Sequence, residues 1–173
     1  LPILRLSRAP APVFYGDNMR FEIGKGIRVR EGNDVSIITT GTLLHNAIRA
    51  ALLLEQEGIQ AAVVDMHTVK PIDQNLILEC AEQTGAIVTA EEHSIYGGLG
   101  SAVAEVLAEH CPVPMERIGA VDFAESGDYG QLMEKYGYGP ESIAQRCRAV
   151  MRRKQDNGTG RLPERTLRPF DMP

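Results

Sequence analysis

Tryptophan is absent from this sequence, and aromatic residues make up only 5% of it. No apolar run approaches the roughly 20 residues that cross a bilayer as a helix, and no signal peptide opens the chain. The expectation is a chain that does not engage membranes. Basic charge is also in deficit: 18 Lys and Arg stand against 23 Asp and Glu, a formal net charge of -5. That balance argues against nucleic acid and anionic lipid as partners, since both demand clustered cations. Cysteine is scarce and unpatterned. Cys80, Cys111 and Cys147 are odd in number, far apart and free of any C-x-x-C spacing. Each falls on or beside an apolar helical stripe, as free thiols in a reducing cytoplasm do. An initiating methionine is missing too, because the chain begins at Leu1. It is expected to be processed or to be a piece of something longer.

What is present suits one domain with a proper core: 173 residues, 43% hydrophobic and 24% charged. Residues 1–15 alternate and then meet Pro10 and Pro12, predicting a strand followed by an extended linker. Arg5 and Arg8 are candidates for anion recognition through the forked guanidinium, against the plainer reading of a solvated surface. Two short apolar runs between Phe21 and Arg30 flank Gly24-Lys25-Gly26, predicting a bent strand or small hairpin. Val35–Thr39 and Ala61–Asp65 read as buried strands, with a helix between them that carries Leu44, Ala47, Ile48, Ala51 and Leu52 on one side. Asp73 is placed to cap a helix that Gly85 ends. Met115–Val121 reads as a further strand. Asp128 with Gln131 resembles a capping box. Pro140 opens a last helix that Arg152, Arg153 and Lys154 close. Residues 155–173 lack periodicity and are expected to form an arm or a disordered tail.

The stretch Ile87–Leu107 concentrates the polar chemistry: a β-branched run, then Glu91, Glu92 and His93, then Gly97, Gly98 and Gly100, then apolar residues at helical spacing. This predicts strand, polar loop, glycine turn and helix. Gly98-Leu99-Gly100 begins like G-x-G-x-x-G, but Val103 stands where the third glycine belongs, so no dinucleotide fingerprint is complete. Ser101 lies outside any G-x-S-x-G elbow and suits a helix N-terminus better. One histidine beside two adjacent carboxylates lacks the spacing of metal ligands. A solvated or interface loop is the expected reading. His67, alone at a strand end, is expected to be a structural hydrogen-bonding residue.

Four alternations of strand and helix predict a three-layer αβα domain with a mostly parallel sheet. On that arrangement Thr40–Thr42, His67–Thr68, Glu91–Ser94 and Asp122–Ala124 emerge at one edge of the sheet, without forming a complete catalytic set.

Four segments carry a resemblance: V-S-I-I-T-T-G (Val35–Gly41), V-V-D-M-H-T-V-K-P-I-D (Val63–Asp73), E-E-H-S-I-Y-G-G-L-G-S-A-V-A-E (Glu91–Glu105) and F-A-E-S-G-D-Y-G-Q-L-M-E-K-Y-G (Phe123–Gly137). In order and spacing they resemble the carboxyl-terminal domain of the transketolase family of thiamine-diphosphate enzymes. The resemblance implies a five-stranded sheet with one antiparallel strand, over residues 16–154. It implies that residues 1–15 end a preceding pyrimidine-binding domain, where Arg8 would help hold the substrate's phosphate. It further implies a homodimer acting on sugar phosphates, beside N-terminal domains or a subunit that bind thiamine diphosphate and magnesium. The activating glutamate and the diphosphate motif would lie upstream of Leu1, so no catalytic, cofactor or metal residue is expected in this chain. Gly127-Asp128-Tyr129 only imitates the start of that motif. Glu91, Glu92, His93, Tyr96 and Gly98 are expected to serve a two-fold interface. Within the family, a sugar transketolase is favoured over 1-deoxyxylulose-5-phosphate synthase or a 2-oxoacid dehydrogenase β chain. A free-standing binding or regulatory domain of the same fold is the other reading.

Overall fold

The computed structural model describes residues 3–7 and 11–158. Strands β1 (Ile27–Arg30), β2 (Val35–Thr39), β3 (Ala61–Asp65), β4 (Ile87–Ser94) and β5 (Met115–Ala120) form one sheet in the order β1-β3-β2-β4-β5. Only β1 runs antiparallel to its neighbour, β3, while β2–β3, β2–β4 and β4–β5 are parallel. A parallel pair needs a crossover, and the helices supply it. They are α1 (Leu44–Gln56), α2 (Gln74–Thr84), α3 (Leu99–His110), α4 (Tyr129–Lys135) and α5 (Pro140–Gly158).

The period of two along each strand divides the core. Val35, Ile37, Val63 and Val88 face α1 and α5, where Leu54, Ile143, Ala144 and Cys147 meet them. Ile38, Val64 and Ile87 face α2 and α3, against Ile77, Cys80, Leu99 and Val103. Both faces are thus covered, the expected condition of a parallel sheet whose central strands are buried throughout. The capping signals act as read. Asp73 accepts the Leu76 N–H at 3.2 Å, Gly85 ends α2 in the left-handed region at φ 60°, and Asp128 accepts the Gln131 N–H at 3.1 Å.

Four expectations are corrected. Residues 3–7 form no strand, and Ile3, Leu4 and Leu6 stand exposed, because a lone strand has nothing here to pair with. Of the hairpin expected over Phe21–Arg30, only Ile27–Arg30 is strand. Glu91–Ser94 is the end of β4, not a loop, and Ser94 still pairs with Ala120 of β5. The last helix runs four residues beyond Lys154, to Gly158. Arg8 and residues 159–173 lie outside the described residues.

Candidate functional site at the carboxyl edge of the sheet

The central strand β2 feeds α1 on one face of the sheet, whereas its neighbour β4 feeds α3 on the other. Where successive connections part in this way, a crevice opens beyond the strands' carboxyl ends, and open α/β sheets bind their ligands there. In this chain the crevice is bounded by Thr42 and by the end of β4. The Thr42 hydroxyl donates to the Glu92 carboxylate across it.

Glu91, one residue earlier, points to the opposite face and is fully buried. Its carboxylate accepts the backbone N–H of Leu99 at 2.6 Å and of Gly100 at 2.9 Å, so a side chain from β4 caps the N-terminus of α3. Two otherwise orphaned donors and the positive end of the helix dipole compensate the buried charge. The His93 Nε2 lies 2.7 Å from the same carboxylate, and its Nδ1 lies 3.3 Å from the Arg5 guanidinium. An arginine side chain can only donate. Nδ1 therefore accepts, and Nε2 carries a proton and donates it to Glu91. The result is one connected path, Arg5 to His93 to Glu91 to α3.

The glycines follow from this cap. A Cβ on Gly98 would strike the Glu91 carboxylate and stand 2.7 Å from His93 Nε2, and one on Gly100 would lie 2.8 Å from the Thr89 hydroxyl. Close approach, not a special φ, is why they are glycines. Ser101 takes the helix-terminal role expected of it, accepting the Gly97 N–H at 3.0 Å. Tyr96 projects from the turn, 56% exposed.

Sequence reading missed a second cluster at this edge. The Tyr15 hydroxyl donates to Asp65 at 2.7 Å, where β3 ends. Burial pushes the Asp65 carboxyl up, although the Tyr15 hydrogen bond and His67 pull it down. Burial and the Asp65 charge raise the Tyr15 phenol as well. Phe21 stacks edge-on against both Tyr15 and His67, at 5.3 and 5.1 Å. His67 shares a 3.0 Å hydrogen bond with Thr68, in keeping with a structural histidine, while its Nε2 is buried without a partner. The signal was available in Asp65 and His67, two residues apart at a strand end. Tyr15 was hidden by lying fifty residues away in a linker.

Asp128, the one residue that imitated a metal-binding motif, spends its carboxylate on the N-terminus of α4. Among the described residues, no group of three His, Cys, Asp or Glu is placed to hold a metal ion.

A family model described as the transketolase C-terminal domain matches residues 24–143. Among curated proteins, the chain is 45% identical over 152 residues to a 6-deoxy-6-sulfo-D-fructose transketolase subunit from a Clostridium species, covering 87% of this chain and 47% of that protein. It is also 45% identical over 132 residues to the 1-deoxy-D-xylulose-5-phosphate synthase of Heliobacterium modesticaldum, covering 74% of this chain and 20% of that enzyme. A solved structure described as a split gene transketolase, inactive beta4 tetramer, matches with a TM-score of 0.83 at 44% identity, over 85% of this chain and 48% of that one. The chain thus spans about half the length of the transketolase subunit it matches.

Proposed function

This chain belongs to the transketolase family, whose C-terminal domain it carries, and from that premise we propose that it works as the C-terminal part of an enzyme transferring ketol groups between phosphorylated sugars. The observation that carries the reading is the match of 87% of this chain to about half of a transketolase subunit. The family uses thiamine diphosphate and a metal ion. In this reading both sit on N-terminal domains, carried by a partner subunit or by the upstream chain, and none of this chain's residues enters the chemistry of the cofactor.

The chain's own contribution is assembly. Glu92, His93, Tyr96 and Gly98 form the outer layer of a polar edge with apolar area in it, the composition of an interface rim. Glu91 has no surface to offer and serves by holding His93 and α3 in place. Arg8 would add a phosphate contact to the substrate site of the assembled enzyme. A cytoplasmic enzyme and a homodimer complete the picture; no helix among the described residues is long and apolar enough to cross a membrane.

The test is reconstitution. The chain is combined with its N-terminal partner, thiamine diphosphate and magnesium, and ketol transfer from a phosphorylated ketose is followed. Activity that requires both components supports the reading. Micromolar binding of the cofactor to this chain alone, or transfer without the partner, overturns it. The likeness to 1-deoxy-D-xylulose-5-phosphate synthase favours a second reading, in which formation of that compound replaces ketol transfer. The same preparation decides between them by product.

A further inference from the structure

The chain has five tyrosines and four phenylalanines in all. Four of them, Phe123, Tyr129, Tyr136 and Tyr138, line a single cavity of about 440 Å³ at the carboxyl edge, together with Glu92 and Asp122. Aromatic area this concentrated in a chain so poor in it marks a place where rings have work to do. Tyr138 forms the buried floor, its ring 6.1 Å from that of Tyr136, and Phe123 stands 97% exposed at the rim.

The charge of the cavity is specific. Glu92 is half-buried, and among the described residues its carboxylate receives only the neutral Thr42 hydroxyl. Glu116, also half-buried, is paired with Arg146 and Arg153, and buried Glu91 has two N–H groups and His93. Among the described residues no cation pairs with Glu92, which lies beside rings whose faces are themselves negative. The Tyr138 phenol registers that field, held up by burial and by Glu92 and Glu91. Asp122 adds a second carboxylate at the mouth, where it accepts the Phe123 N–H at 2.7 Å. Arg5 and His93 also line the cavity, but they are turned to each other at 3.3 Å, and His93 is bonded to Glu91 at 2.7 Å.

We propose that this cavity is a receptor for a guanidinium, and that its occupant is an arginine side chain of the partner subunit or domain, seated over the Tyr136 and Tyr138 rings and paired with Glu92. A planar cation fits such a site on two counts. It stacks on aromatic faces, and its fork meets a carboxylate with two parallel donors. An anionic substrate has the wrong sign for this place. An apolar side chain would leave Glu92 uncompensated in a dry interface, which is costly. The choice of partner rests on the functional reading above, whereas the cation selectivity rests on the cavity alone.

The experiment has two arms. In the first, the chain is titrated with N-acetyl-arginine methylamide and with the citrulline analogue, neutral and of the same shape, while tyrosine resonances are followed by NMR. Saturable shifts of Tyr136 and Tyr138 with arginine, absent with citrulline and absent in Glu92→Gln, are the expected result. No shift, or equal shifts with both compounds, overturns the site. In the second, assembly of the complete enzyme is measured by sedimentation at several salt concentrations. Glu92→Gln should weaken it roughly tenfold and flatten its salt dependence. Unchanged assembly means that the occupant is not a partner arginine and overturns the proposal, with the transketolase reading intact. If the wild-type components do not associate at all, that reading fails while the first arm still judges the cavity.

Discussion

A methyl group at Gly98 and the carboxylate of Glu91 cannot occupy their places together, since the space a Cβ would need is held by Glu91 and His93. The Gly98→Ala variant must therefore move α3 or lose its cap. It should lose about 1–3 kcal/mol of stability, the usual cost of overpacking. Glu91→Ala, which leaves the Leu99 and Gly100 N–H groups unpaired in a buried place, should cost about 2–4 kcal/mol. Urea denaturation of each variant checks both, and a cost within a few tenths of a kcal/mol would show that the cap carries little.

His93→Ala keeps the Glu91 cap and removes the link to Arg5. Assembly of the complete enzyme should then need a higher protein concentration, with turnover lost on dilution and recovered when the protein is concentrated. Sedimentation together with steady-state kinetics reads this. A large fall in turnover with assembly intact would place His93 in the chemistry instead.

Arg8→Ala in the complete enzyme should weaken phosphorylated sugars by roughly 1.5–3 kcal/mol, the worth of a charge-assisted hydrogen bond. Unphosphorylated analogues should be spared. Equal losses on both would remove the phosphate contact.

Asp65 makes a pH prediction with a definite sign. Its carboxyl is raised in the folded chain, chiefly by burial, above the value of about 3.9 for an unfolded aspartate. Between these values the folded state binds more protons than the unfolded one, so stability falls as pH rises through that window and the loss is complete above the folded value. Asp65→Asn keeps an oxygen to accept from Tyr15 and abolishes the titration. Thermal melts from pH 4 upward should show the wild type losing ground to the variant, and parallel curves would contradict it.

Cysteine reactivity should be uneven. Cys80 and Cys147 are fully buried, and burial raises both thiols, whereas Cys111 is half-exposed. A thiol reagent should label Cys111 quickly and the other two only on unfolding. Mass spectrometry of the labelled chain distinguishes the sites.

The architecture was legible because periodicity and capping are local. Val35–Thr39 and Ala61–Asp65 are mostly apolar and buried at every residue, and Asp73, Gly85 and Pro140 mark helix ends by backbone chemistry that tertiary context does not overrule. Glu91–Ser94 was misread because polar residues ordinarily signal solvent. Here a helix N-terminus folded over the strand end and made a buried carboxylate acceptable. The Glu92 cavity was hidden for a related reason. Thr42, Glu92, Phe123 and Tyr138 come from four separate segments, and only the crossovers bring them together.

The outermost strands have a consequence for the chain before it meets any partner. β1 is four residues long, carries Arg28 and Arg30, and breaks register between them; β5, at the opposite margin, carries Glu116 and Arg117. Short length, charge and a bulge each discourage a foreign strand from continuing the ladder. Both margins of the sheet are therefore poor templates for a further strand, so backbone pairing at its edges is a poor route for one copy to recruit another.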